Sequence, residues 1–248
     1  MSFDVAGKHA IVTGGGRGIG LAIARALAAR GAVVSAVSRT VRDANTSAAM
    51  LCEGADVTSE EQVKRAFEAC RARNGPVAIL VNNSGIAESA PLIRTGLAMW
   101  ERIMATNVTG TFLCSRDAAE DMIVAKSGRI VNVASIAGLG GAAYISAYCA
   151  SKHAVVGFTR AIAAEFEGTG ITANCVCPGY TETDMMRHAL ENIKRSTGAS
   201  EEDARERLAG MNPHGRIATV EEVAEGVLEL ITGDRNGAAL VIPGNMYE

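Results

Sequence analysis

Six short runs of β-branched and aliphatic residues constrain this chain more than any other feature. They are HAIVT (His9–Thr13), AVVSAV (32–37), VAILVN (Val77–Asn82), RIVNVAS (129–135), ITANCVC (171–177) and ALVI (Ala239–Ile242). A strand with one wet face alternates apolar and polar residues; these runs do not alternate, so both of their faces are buried. Helix-like segments lie between them, at residues 19–30, 60–73, 97–125, 147–167 and 220–232. Strands alternating with helices predict an α/β architecture, a parallel sheet covered by helices on both sides. Residues 39–55 leave space only for a short or irregular helix and a short strand near residues 50–53.

With 248 residues the chain is long for one average domain and short for two. It carries no linker, low-complexity tract or internal repeat, so residues 1–248 read as one domain. Its longest polar interruption, residues 181–215, follows a buried run. It contains two amphipathic pieces, 184–196 and 201–211, separated by Thr197, Gly198 and Ala199. An insertion of that kind is more often a lid or binding element than plain connection.

Several partner classes are excluded early. The net charge is −3 and no block of Lys or Arg is present, so nothing is built to neutralise a nucleic-acid backbone. The N-terminus MSFDVAGKHAIV has an early acid and no long apolar core, unlike a signal peptide. No apolar run approaches the ~18 residues that span a bilayer. The cysteines, Cys52, Cys70, Cys114, Cys149, Cys175 and Cys177, are scattered without a CxxC pair and suit reduced thiols in the cytoplasm. Cys175 and Cys177 would share one face of a strand, where they read as small buried hydrophobes and not as a metal pair.

The first run ends in TGGGRGIG (Thr13–Gly20) and a helix follows. Glycines there let the backbone approach a pyrophosphate, and the free N–H groups of the helix N-terminus face the negative charge. The second run ends in Ser38-Arg39, at the point where many NAD sites carry an acid for the ribose 2′-hydroxyl. An arginine pairs with a 2′-phosphate where a carboxylate would repel it. With Arg17, and Arg42 further on, this favours NADP(H), with NAD(H) as the other candidate.

In SAYCASKHAV, Tyr148 and Lys152 stand four apart and share a helix face. A phenol with pKa near ~10 is too weak an acid for neutral pH, and a neighbouring ammonium is expected to lower it. Ser135 closes the run RIVNVAS and can hold a carbonyl oxygen beside the phenol, making Tyr148 a candidate general acid/base.

Taken with Asp56-Val57, NNSG (82–85), Asn107 and PGYTET (178–183), these motifs resemble the short-chain dehydrogenase/reductase family along essentially the whole chain. The resemblance implies a single Rossmann-fold domain, doubly wound around a seven-stranded parallel sheet. It implies a tetrad of Asn107, Ser135, Tyr148 and Lys152. Tyr148 is the acid/base, Lys152 holds the nicotinamide ribose, Ser135 polarises the carbonyl and Asn107 supports a water relay. Gly14, Gly16, Arg17, Gly18, Ile19 and Gly20 would border the phosphates. Asp56 and Val57 would border the adenine, and Asn83 and Gly85 the ribose region. Pro178, Gly179, Thr181 and Thr183 would lie along the nicotinamide. Ser84 stands where the family usually has Ala, and IPGNMYE where its last strand usually ends in Gly-Gly.

The implied activity is ketone/alcohol interconversion by hydride transfer on a small-molecule carbonyl or alcohol. The segment MNPHGRIATVEEVA resembles ketoreductases acting on acyl thioesters and polyketides. The leading expectation is therefore 3-oxoacyl/3-hydroxyacyl thioester chemistry. Cyclic, aromatic, sugar or steroid ketones come next, and a non-catalytic dinucleotide sensor last. Helices at 97–125 and 147–167 are the family's usual pairing surfaces, which implies a homotetramer. In the lid, Met185 and Met186 are candidates for apolar substrate contact and His188 for a polar one. Arg187, Lys194, Arg195, Arg205 and Arg207 suit either an anionic carrier or, given the interspersed acids, a solvated face.

Overall fold

Seven of the strands run parallel, in the order β3-β2-β1-β4-β5-β6-β7, in a computed structural model that describes residues 3–39, 50–244 and 246–247. They are β1 (His9–Thr13), β2 (Val33–Ser38), β3 (Met50–Gly54), β4 (Val77–Asn82), β5 (Gly128–Val133), β6 (Ile171–Pro178) and β7 (Ala239–Ile242). One strand is added to the seven expected: β8 (Met246–Tyr247) pairs antiparallel with β7 at the sheet edge. The expected short strand near residues 50–53 is β3; the expected helix before it, and Arg42, fall outside the described residues.

Side chains alternate across the strands, and each face finds its own helices. Val12, Val81, Val131 and Val176 join a core with Ile23 and Leu27 of α1 (Gly18–Ala29) and Val223, Val227 and Ile231 of α8 (Val220–Thr232). Ile11, Leu80, Ile130 and Ala173 face the other way, against Phe67 of α2 (Glu60–Asn74) and Leu113 and Met122 of α4 (Gly110–Ala125). Ala163 of α5 (Ser146–Glu165) closes that layer. Two buried faces explain why the strand sequences do not alternate.

Helix starts follow their capping residues. Ser59 caps α2 through Gln62 N, and Thr219 with Glu222 forms a reciprocal capping box on α8, each such cap contributing about 1 kcal/mol. The segment expected as one helix over 97–125 is α3 (Leu97–Met104) and α4 joined by a π-helical turn, Ala105–Thr109. The widened turn carries Asn107, and such turns commonly mark functional positions. Residues 181–215, the expected lid, contain α6 (Asp184–Thr197) and α7 (Glu201–Gly210) around a small core of Met186, Leu190, Ala204 and Leu208. No helix among the described residues is long and apolar enough to cross a membrane.

Candidate active site

Strand order reverses between β1 and β4, and the loops leaving their C-terminal ends form the crevice where α/β sheets bind ligands. The turn after β1 is pinned to the loop after β4. Asn83 N and Ser84 N both donate to Thr13 Oγ1 at 3.0 Å, and Asn83 Nδ2 donates to the carbonyls of Thr13 (3.0 Å) and Gly14 (3.3 Å). A side chain at Gly20 would collide with Gly14 O and Asn83 Nδ2, so only glycine closes this packing. Arg17 is the N-cap residue of α1 but makes no side-chain cap, and the first turn holds no acidic residue. The N–H groups at this helix start are therefore left to an anion, and the residues fit a dinucleotide pyrophosphate. A Cβ at Gly16 would lie 3.6 Å from Ser38 Oγ, which places the end of β2 beside the loop. Arg39 is exposed there, and Arg17 lies 3.7 Å from Asp184 of the lid.

The expected tetrad converges at the ends of β4, β5 and α5. Lys152 is buried and donates to Val133 O at 2.7 Å, with Nζ 5.7 Å from the centre of the Tyr148 ring. Tyr148 lies half-buried in the same wall, where the Ser135 side chain favours its charged form. Ser135 Oγ also donates to Pro178 O (3.3 Å) and accepts from Ala137 N (3.1 Å). Asn107 Nδ2 donates to Ile86 O and Ser151 Oγ, and its Oδ1 accepts from Ile86 N, all at 2.9 Å. Gly85 permits this closeness: a Cβ there would sit 3.3 Å from Asn107 Oδ1 and 3.6 Å from Lys152 Nζ.

The electrostatics correct one expectation. Burial pushes Tyr148 up to about 12, against the lowering effect of Ser135, and pushes Lys152 down to about 8. In the protein alone the phenol is a weaker acid than usual, because desolvation outweighs the lowering effect of Ser135. The neutral phenol is therefore a proton held in reserve, and becomes a better acid when positive charge arrives beside it.

The other expected residues occupy definite places. Asp56 Oδ1 accepts from Thr58 N (2.9 Å) and Thr58 Oγ1 (2.8 Å), and Val57 is buried against Gly110 at the start of α4. Thr183 caps α6, with Met186 N donating to its Oγ1 at 3.4 Å, and its methyl lies 3.7 Å from where a Gly18 side chain would begin. Thr181 is buried and bonds back to Gly179 O at 3.1 Å. Ile19 is partly buried against the α1/α8 core. Within the lid, Met186 packs inward and Met185 is exposed; His188 is exposed and bonds to Asp184 O at 2.8 Å. Arg187, Lys194 and Arg205 pair with Asp184, Glu201 and Glu182, as on a solvated face. Cys175 and Cys177 do share a buried face, packed with Val155 and Val156.

Three contributors escaped the sequence reading: Thr13, which knots the two loops, Ser151, which steadies Asn107, and Asn212, which anchors the lid. Ser151 had a legible signal, since it adjoins Lys152 on the same helix. Asn212 had none, because its main partner is 32 residues away.

A half-buried tyrosine with a buried lysine and serine beside a dinucleotide crevice defines an oxidoreductase that interconverts a ketone and a secondary alcohol. The family model described as short chain dehydrogenase matches residues 8–194, and the chain belongs to that family. It is 41% identical to "2-(S)-hydroxypropyl-CoM dehydrogenase 3" of Xanthobacter autotrophicus over 99% of each chain. It is 38% identical to "Granaticin polyketide synthase putative ketoacyl reductase 1" of Streptomyces violaceoruber, over 91% of this chain and 86% of that one. Among solved structures, an actinorhodin polyketide ketoreductase with NADPH superposes with a TM-score of 0.89 at 34% identity, over 98% of this chain and 97% of that one.

Proposed function

We propose that the chain is an NADP(H)-linked reductase of 3-oxoacyl thioesters, running reversibly to the 3-hydroxyacyl product. The observation that carries the chemistry is the half-buried Tyr148 standing in one wall with buried Ser135 and with Lys152, whose Nζ lies 5.7 Å from the centre of its ring. When bound, the nicotinamide exchanges hydride with the carbonyl carbon. Ser135 holds the carbonyl oxygen and Tyr148 gives it a proton. Lys152 turns from Val133 O toward the ribose and replaces the proton through groups steadied by Asn107. The cofactor contacts follow the sequence reading: Gly14, Gly16, Arg17, Gly18, Ile19 and Gly20 at the phosphates, and Ser38 and Arg39 at a 2′-phosphate. Asp56 and Val57 lie at the adenine, Asn83 and Gly85 at the ribose, and Pro178, Gly179, Thr181 and Thr183 along the nicotinamide.

Two observations support a thioester. The relatives include a ketoacyl reductase and a polyketide ketoreductase. Residues 140–143 are exposed, and a Cβ at Gly140 or Gly141 would meet nothing within 4 Å. A second reading, oxidation of a short secondary alcohol on a small thiol carrier, is favoured by the 41% identical 2-(S)-hydroxypropyl-CoM dehydrogenase. Initial rates of NADPH and NADH oxidation with acetoacetyl-CoA decide between them. Turnover with NADPH that Tyr148→Phe abolishes supports the reductase; its absence, with NAD reduction by 2-hydroxypropyl-CoM, supports the alternative. The protein acts in the cytoplasm as a homotetramer in this reading. Exposed Phe112, Ile123 and Val124 on α4 supply apolar pairing surface, and a monomer by light scattering at micromolar concentration would refute the assembly.

A further inference from the structure

We propose that Asn212 is a positioning residue for the nicotinamide half of the cofactor, acting through the turn at Gly179-Tyr180. The proposal rests on the cofactor reading above. Asn212 follows α7 and is only 5% exposed. Its Oδ1 accepts from Tyr180 N at 2.6 Å, while its Nδ2 donates to Tyr180 O at 2.7 Å and to Arg216 O at 2.8 Å. One side chain therefore bonds both backbone groups of a single residue, as a neighbouring strand would. It also fills the space above Gly179, where any Cβ would collide with the amide.

What Asn212 holds is the junction between the catalytic wall and the lid. On one side of Gly179-Tyr180 stands Pro178, whose carbonyl takes the Ser135 hydroxyl. On the other stand Thr181 and Thr183, and Thr183 both caps α6 and borders Gly18 of the phosphate loop. The chain leaving the lid is tied into the same place. Ala218 N donates to Tyr180 O and Glu182 N to Ala218 O, both at 3.0 Å, and Thr181 bridges Ala218 in parallel. The bond from Asn212 to Arg216 O closes this base, so both ends of the lid are fastened through one amide.

Only an amide fits this set of partners, one donor and two carbonyls. A hydroxyl at that position keeps one bond. A carboxylate would turn an oxygen onto two carbonyl oxygens. A methyl leaves Tyr180 N without its acceptor inside the protein. The phosphate loop and the end of β2 hold the opposite half of the crevice and make no bond to Asn212.

Two ligands separate positioning from general damage: NADPH, and 2′,5′-ADP, which lacks the nicotinamide half. Both are titrated into the wild-type chain and into Asn212→Ser, Asn212→Ala and Asn212→Asp, with folding checked by circular dichroism. NADPH affinity should fall in that order, by about tenfold for Asn212→Ala, the change one lost hydrogen bond produces. Affinity for 2′,5′-ADP should stay within about twofold of wild type throughout. Tryptic cleavage of the lid without nucleotide should quicken in the same order. Unchanged NADPH affinity, or equal loss of both ligands, overturns the proposal. Asn212→Ser keeps the test decisive if Asn212→Ala does not fold. A wild-type chain that binds neither nucleotide removes the cofactor reading, and the proposal with it.

Discussion

Two buried polar clusters sit at opposite ends of the same sheet and meet burial in opposite ways. At the N-terminal end, His9 Nδ1 lies 2.7 Å from Gly75 O and Nε2 lies 2.9 Å from Ser35 Oγ, and Asn74 Nδ2 donates to that same oxygen at 3.0 Å. Nearby, Asp121 takes Arg71 Nε at 2.7 Å and Val77 N at 2.9 Å. At the C-terminal end stand Tyr148, Ser135 and Lys152. Burial drives each titrating group toward its neutral form: His9 and Lys152 downward, Tyr148 upward. At the base both ring nitrogens have protein partners, so neutral His9 is a finished piece of structure. In the cleft Lys152 has three N–H donors, and among the described residues one acceptor, Val133 O, is identified. An incompletely partnered buried cation is poised to receive a ligand's hydroxyls, and a withheld phenolic proton is poised to leave. The difference between scaffold and machinery is thus how fully each group is satisfied, not how deeply it is buried.

The sharpest way to break this contrast is to remove the phenol alone. Tyr148→Phe should lower turnover by roughly 10³-fold, within the range for a positioned general acid. Its thermal midpoint should stay close to wild type, because no structural group depends on that hydroxyl. A comparable fall in midpoint and in activity would put Tyr148 in the same class as His9.

Acidity gives the next largest effect. With Lys152 at about 8, its ammonium is present below that pH and lost above it. The kcat/KM for carbonyl reduction, which reports the free enzyme, should fall about tenfold per unit above pH ~8. Lys152→Arg keeps its charge through that range and should remove this limb while lowering the plateau. A wild-type profile flat to pH 10 would show that the ammonium is not needed.

How much of this was legible in the sequence differs between the two ends. The runs at His9–Thr13, Val77–Asn82 and Ala239–Ile242 coincide with β1, β4 and β7, and the helix expected over 220–232 is α8. The glycine turn between β1 and α1 and the helix face shared by Tyr148 and Lys152 were equally legible, because they depend on local order and short spacing. Long-range fitting was not. The π turn at Asn107 arises where its amide reaches the Ile86 backbone, and β8 is a two-residue pairing with no pattern of its own. The upward shift of Tyr148 was misread because an i,i+4 spacing shows a neighbour but not the burial that overrides it. The base cluster was invisible for a similar reason: His9 finds partners 66 and 26 residues away.

That base cluster predicts a stability effect with no catalytic one. His9→Ala leaves Gly75 O without its ring partner and Ser35 Oγ with Asn74 alone, which costs about 1–3 kcal/mol. The sign of its pH dependence follows from the lowered pKa. The unfolded chain binds a proton near ~6.5 where the folded chain does not, so wild-type stability declines as pH falls through ~6.5. Coulombic attraction from Asp121 softens that decline and repulsion from Arg71 steepens it. Denaturant titrations between pH 5 and 8 should show the slope in wild type and its loss in His9→Ala, with kcat/KM at pH 7 unchanged.

The smallest effect calibrates the other three. Thr219 belongs to neither cluster; its Oγ1 accepts from Glu222 N at 3.1 Å, and Glu222 returns the bond to Thr219 N at 2.8 Å. Thr219→Ala removes one half of that box and should cost about 1 kcal/mol. Neither the acid decline assigned to His9 nor the alkaline limb assigned to Lys152 should move, since Thr219 does not titrate and touches neither group. A shift in either profile on Thr219→Ala would mean that the two pH responses report global stability, and the division of the sheet into a finished base and a poised cleft would fail.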